Sequence, residues 1–158
     1  MGLDMYLTAR KLTSNFNFEK PEAKDSYNKA LAATGLEAED VAQDSPMIGL
    51  SVNICYWRKA NAIHKWFVQN VQDGHDECQE SYVSREQLEK LLDEVTEVLK
   101  HKDKAAELLP TTSGFFFGTT DYNDWYWEDM KKTQAALERI LKNPRLVKGW
   151  DFYYQASW

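Results

Sequence analysis

An α+β domain, in which a small, mostly antiparallel sheet of N-terminal, central and C-terminal strands is packed with about three helices, is predicted by three features of the sequence. Apolar and polar residues alternate near both ends of the chain and again around Leu50, with the period of two that half-buried strands require. Between these segments lie stretches with apolar residues three and four apart, the spacing of helices that keep one face on a core. Aromatic residues make up 13% of the 158 residues. Their large apolar bodies supply the burial that a mean hydropathy of −0.62 would not suggest.

Taken in order, residues 3–9 read as a strand with Leu3, Met5 and Leu7 on one face and Asp4 and Tyr6 on the other. From Thr13 to Asp44 the pattern decays: Pro21 interrupts it, Asp25 to Leu36 reads as a modest helix ending at Gly35, and LEAEDVAQD reads as an acidic helical turn or two. Residues 13–45 are therefore expected to be an excursion from one domain spanning 1–158. Strand character returns through Ile48, Leu50, Val52 and Ile54. The following WRKANAIHKWFVQNVQ takes a helical period in which Ala60, Ile63, Phe67 and Val71 form the buried stripe and Trp57, Asn61, His64 and Val68 run along its edge.

After the DGHDEC loop, a short strand spans residues 80–83, and Ser84 with Gln87 forms a capping-box signature. The helix so opened carries Leu88, Leu91, Leu92, Val95, Val98 and Leu99 at near-ideal spacing. A further helix from about Asp124 to Lys142 buries Tyr126, Met130, Leu137, Ile140 and Leu141, with Trp125 directed away from that stripe and Pro144 preventing continuation. The final GWDFYYQASW alternates as a strand with Trp150, Phe152 and Tyr154 on one side.

Composition narrows the function classes. A net charge of −6 argues against broad nucleic-acid binding. No apolar run reaches the roughly 18 to 20 residues that cross a bilayer, and the first residues lack the pattern of a signal peptide, so a cytoplasmic protein without membrane contact is expected. In that compartment Cys55 and Cys78 are expected as free thiols. The Asp73, His75, Asp76, Glu77, Cys78 loop fits no zinc spacing, and no metal or cofactor is expected. No GxSxG, GxGxxG or phosphate-binding-loop motif is present.

The densest chemistry lies in Pro110 to Trp127, PTTSGFFFGTTDYNDWYW. Gly114 and Gly118 permit positive φ or close approach, and three consecutive phenylalanines cannot share one face of an extended chain. The hydroxyl-rich runs Thr111, Thr112, Ser113, Gly114 and Gly118, Thr119, Thr120, Asp121 suit either anion-binding turns or plain turns preceding a helix capped by Asp121 or Asn123. His64 is either a hydrogen-bonded core histidine or, with Asn61 and Trp57, the polar wall of a pocket near this stretch. Arg58 and Lys59 could bind phosphate or carboxylate there, although cations early in a helix are commonly solvated.

Three segments, MGLDMYL, CYWRKANAIHKWFVQNVQDG and ELLPTTSGFFFGTTDYNDWYWEDM with the DFYYQASW end, resemble an uncharacterised family of small bacterial, prophage and phage proteins. The resemblance covers about two thirds of the chain, with relatives differing most between Thr13 and Ser45. It implies an accessory or counter-defence role and carries no functional residues across.

These readings converge on a binding protein rather than an enzyme. Its expected ligand is a small planar molecule, nucleotides being one such class, held by Trp57, Arg58, Asn61, His64, Ser113, Gly114, Phe116, Gly118, Thr119, Thr120, Asp121, Tyr122 and Trp125. A protein-interaction module using Trp125 against a host or phage protein is the alternative. A hydrolase with His64 as base and Asp121 as its partner comes third.

Overall fold

The computed structural model describes residues 2–16 and 21–158, so positions 17–20 of the expected excursion lie outside the described residues. Four strands, β1 (Asp4–Ser14), β2 (Met47–Arg58), β3 (Ser81–Val83) and β4 (Asp151–Ser157), form one antiparallel sheet in the order β2-β1-β4-β3. The α+β class is as the alternation predicted. Helices exceed the expected three: α1 (Pro21–Thr34), α2 (Asn61–Asn70), α3 (Arg85–Lys100) and α5 (Asp124–Leu141) are joined by the single turns α4 (Ala105–Leu108) and α6 (Pro144–Val147). The chain divides into two compact units, one of Met1–Ala9 with Asn53–Trp158 and one of Arg10–Val52.

In the larger unit, Leu3, Met5, Leu7 and Ala9 are fully buried, the alternation that a one-sided strand requires. Phe152, Tyr154 and Ala156 do the same in β4, which pairs antiparallel with β3 through Ser81–Tyr154 and Val83–Phe152. The helices cover this face. Ser84 caps α3 by accepting from the Gln87 amide at 3.2 Å while the Gln87 side chain accepts from the Ser84 amide at 2.8 Å, and Leu88, Leu91, Val95 and Val98 are buried on the sheet side. Asn123 caps α5, accepting from the amides of Trp125 and Tyr126, and Tyr126, Met130, Thr133, Leu137 and Ile140 enter the same core. Pro144 does end α5, and then starts α6 behind the Asn143 cap.

Aromatic rings fill the centre. Phe67 stacks on Tyr154 with centroids 3.9 Å apart, while Trp57 and Trp66 lie 6.0 and 5.3 Å from Phe67. Each polar handle finds a partner: Trp57 Nε1 donates to Thr133 Oγ1 at 2.8 Å, and Trp66 Nε1 donates to Glu94 at 2.7 Å. On the opposite sheet face Tyr6 meets Tyr56 and Thr8 Oγ1 donates to Asn53.

Two expectations are corrected here. The strand ending near Tyr56 continues to Arg58, so Trp57 belongs to β2 and helix α2 begins only at Asn61. Its side chain is therefore set by strand geometry, which sends the ring into the core. The predicted apolar stripe on β2 also shifts: Ile54, Cys55 and Trp57 are buried whereas Val52 is exposed.

In the smaller unit, α1 begins at Pro21 instead of being broken by it, because the first helical position needs no amide donor. Gly35 ends the helix at φ +74°, a conformation that costs a residue without Cβ little. Tyr27, Ala30 and Leu31 are its buried residues.

Leu91 is fully enclosed and Leu92 only half-buried. In chemical denaturation Leu91→Ala should lose about 2 to 5 kcal/mol, with Leu92→Ala losing clearly less. Equal losses would contradict this orientation of α3.

Candidate functional site

The β2–α2 junction makes a tight corner. Lys59 adopts φ +60° while its amide donates to the Leu3 carbonyl at 2.7 Å, and the Asn61 amide then donates to the Lys59 carbonyl at 2.9 Å. Helix α2 starts from Ala60 without a side-chain cap. That frees the side chain of Asn61, at the first helical position, to reach across to the loop between α4 and α5.

Asn61 is the fastener of that loop. Its Nδ2 donates to the carbonyls of Phe117 at 3.1 Å and Thr119 at 2.9 Å, and its Oδ1 accepts from the Thr112 amide at 3.1 Å. All three bonds join residues more than fifty positions apart, so the α2 edge and the hydroxyl-rich turns meet, and the buried carboxamide finds its partners there. Phe117 is the second attachment. The three phenylalanines separate: the Phe117 amide donates to the Gly114 carbonyl, Phe116 sits at φ +67° within that turn, and only Phe117 is buried. A Cβ at Gly114 would overlap the Phe117 ring, so glycine is needed for close approach. Gly118, at φ +89°, lies against Lys59 and needs glycine for its backbone conformation.

His64 lies behind this fastener and not in a pocket wall. It is 1% exposed, its ring meets Phe117 edge-on at 5.1 Å, and both nitrogens are engaged. The Asp76 carboxylate can only accept, so Nε2 donates to it at 2.9 Å, and Nδ1 is hydrogen-bonded to the Tyr154 hydroxyl at 2.8 Å. Burial raises the Tyr154 phenol well above its ordinary range, with Asp76 adding to the effect. Trp158 Nε1 donates to the other Asp76 oxygen at 3.1 Å. The partner of His64 is thus Asp76 and not Asp121, which instead accepts from Thr119 Oγ1 at 2.7 Å.

A cleft of about 600 Å³ opens beside the fastened loop. Of the sequence-predicted residues, Arg58, Asn61, Gly118, Thr119, Asp121 and Trp125 line it. The rest stand elsewhere. Trp57 and His64 are in the core, and Ser113, Gly114 and Phe116 belong to the turn that seats Phe117. The Thr120 carbonyl accepts from Thr111 Oγ1 at 2.9 Å, and Tyr122 packs on Tyr126 at 4.9 Å.

Lys59, expected beside Arg58, and Thr111, expected in the hydroxyl-rich run, also line the cleft, whereas sequence reasoning missed Tyr126, Asp129 and Met130 as lining residues. Asp129 carried a signal: it is an acidic residue one position before the buried Met130, on the flank of the α5 stripe. Burial pushes its carboxyl up to about 6, opposed by Lys132 and assisted by Glu128. Its carboxyl makes no hydrogen bond or ion pair with any described residue. Cys55 is buried and its thiol pushed up to about 11, which makes it unreactive.

The chain matches no protein-family model, and no curated protein and no solved structure matches it.

Two outcomes follow. Asn61→Ala strands a buried amide and two carbonyls, so it should cost about 1 to 3 kcal/mol and speed amide exchange across 112–119; unchanged exchange there would contradict its fastening role. Because folding raises the Asp129 pKa above 3.8, the folded state holds that proton more tightly, and the ionised carboxyl opposes folding above pH 6. Asp129→Asn should accordingly raise Tm at about pH 8, with the gain fading as the pH falls from about 6 toward 4. A gain that persists unchanged at the lower pH would be inconsistent with that origin.

Proposed function

We propose that the cleft binds a small planar ligand bearing an anionic group, with nucleotides the nearest chemical class, and that the protein is a non-enzymatic accessory protein of the phage or prophage type acting in the bacterial cytoplasm. The observation that carries this reading is the conjunction at the cleft: a Trp125 ring 72% exposed shares it with Arg58 and Lys59, whose charged groups form no ion pair among the described residues. An unburied indole offers a stacking platform for a planar ring. Two cations without an ion pair among the described residues offer binding to phosphate or carboxylate. Among the described residues no helix is long and apolar enough to cross a membrane.

The absence of catalysis is inferred from what the cleft contains. His64, the best general base in the sequence, is sealed from it between Phe117, Tyr154 and Asp76. Of the remaining carboxyls, Asp121 is bonded to the Thr119 hydroxyl of its own turn, and no metal-ligand cluster stands beside it or Asp129 among the described residues.

A protein-interaction reading rests on a different observation. Phe115 is 76% exposed, and Phe116 and Trp125 are also exposed, an apolar display suited to an anchor on a protein partner. Mass spectrometry of denatured, freshly purified protein separates the two: a copurifying planar anion supports the first reading, and a retained host protein without one supports the second. Trp125→Ala should hold stability within about 0.5 kcal/mol and weaken the ligand about tenfold or more, since a base stacked on an aromatic ring contributes about 1 to 3 kcal/mol. A large fall in Tm would instead make Trp125 part of the core.

A further inference from the structure

We propose that Asp129 selects the ligand's base, and that the base it selects presents two adjacent N–H donors, as the edge of guanine does. This rests on the nucleotide reading of the cleft and deepens it. Asp129 lines the cleft and is half-buried, and while its backbone carbonyl accepts from Thr133 Oγ1, its carboxyl is bonded by no described residue. Its oxygens are reached by solvent and by no protein donor, so a ligand that displaces water from the cleft has to bring donors of its own to this carboxyl.

The groups around it fix what the ligand must look like. Arg58 and Lys59 enter the cleft from the β2–α2 corner, Asp121 from the loop, and Glu128, Lys132 and Tyr126 flank Asp129 on α5. The Tyr126 hydroxyl is committed to the Leu109 carbonyl at 2.9 Å, and the Asp121 carboxylate to Thr119. Asp121 keeps its second oxygen at an exposed position, so Asp129 is the half-buried carboxyl of the cleft with neither oxygen engaged by a described residue, while Arg58 and Lys59 remain for the ligand's anionic end. An ionised carboxylate accepts at two oxygens and donates nothing. It matches N1–H and the 2-amino group of guanine and opposes the N1 acceptor of adenine. At neutral pH the carboxyl is mainly ionised, which agrees with the donor-rich edge.

Calorimetric titration of the intact protein with GMP, IMP and AMP tests this. GMP should bind at least about tenfold more tightly than AMP, with IMP between them because it keeps one of the two donors. Asp129→Asn, which offers one donor and one acceptor, should bring GMP and AMP within about twofold of each other by weakening GMP. Below pH 6 the wild-type affinity for GMP should fall by about tenfold per pH unit as the carboxylate is lost. Asp129→Asn retains the nucleotide's own phosphate titration and serves as the control for that fall. A thermal melt confirms that the isosteric variant is folded. Equal binding of GMP and AMP, or a variant with unchanged preference, overturns the assignment of Asp129 while leaving the nucleotide reading intact. Failure of all three nucleotides to bind at millimolar concentration overturns both.

Discussion

A buried carboxamide has two donors and two acceptor sites to satisfy, and at Asn61 that requirement organises the structure around the cleft. The side chain binds the loop at Thr112, Phe117 and Thr119 because a helix without a cap leaves it free to do so. Remove those bonds and the loop has no reason to lie against α2: the seating of Phe117, the turn at Gly114 and the contact of Gly118 with Lys59 all presuppose it. The cleft is the space left beside a loop held this way.

Core and site use polar groups in opposite manners. In the core the ring nitrogens are consumed: Trp57 by Thr133, Trp66 by Glu94, and His64 by Asp76 and Tyr154 together. In the cleft, Arg58, Lys59 and Asp129 are left over. Folding alone would favour pairing or solvating such groups, and a half-buried carboxyl held near 6 opposes folding at neutral pH. Residues that work against stability while facing a concave surface are the ones a ligand would justify.

Sequence patterns gave the fold where a single physical rule acts alone. Leu3, Met5 and Leu7 obey the period of two, and Ser84 with Gln87 announces α3, so both were legible. Trp57 was not, because WRKAN continues a helical period backward into the strand, and only the positive φ at Lys59 shows where the strand stops. Of the candidate site, Arg58, Asn61, Gly118, Thr119, Asp121 and Trp125 were legible from hydroxyls, glycines and a ring off its helix stripe. Asp129 gave only the faint signal of its place beside Met130, since in the sequence an acidic residue on a helix flank looks like any solvated one. Asp76 was hidden: in a loop of mixed ligand-type residues, nothing local says that its partner is a histidine 12 positions earlier.

One ring ties the loop to the centre of the molecule. Phe117 presses its face or edge on His64 and on Trp158, His64 holds Tyr154, and Tyr154 stacks on Phe67 in the heart of the domain. Loop and core therefore share a continuous spine of rings, close-packed enough that one member cannot tilt without its neighbours. Motion of the cleft wall is consequently a matter of breathing in the last strand as well, and a ligand that stills the wall would quiet amide exchange at Tyr154, on the far side of the fastener.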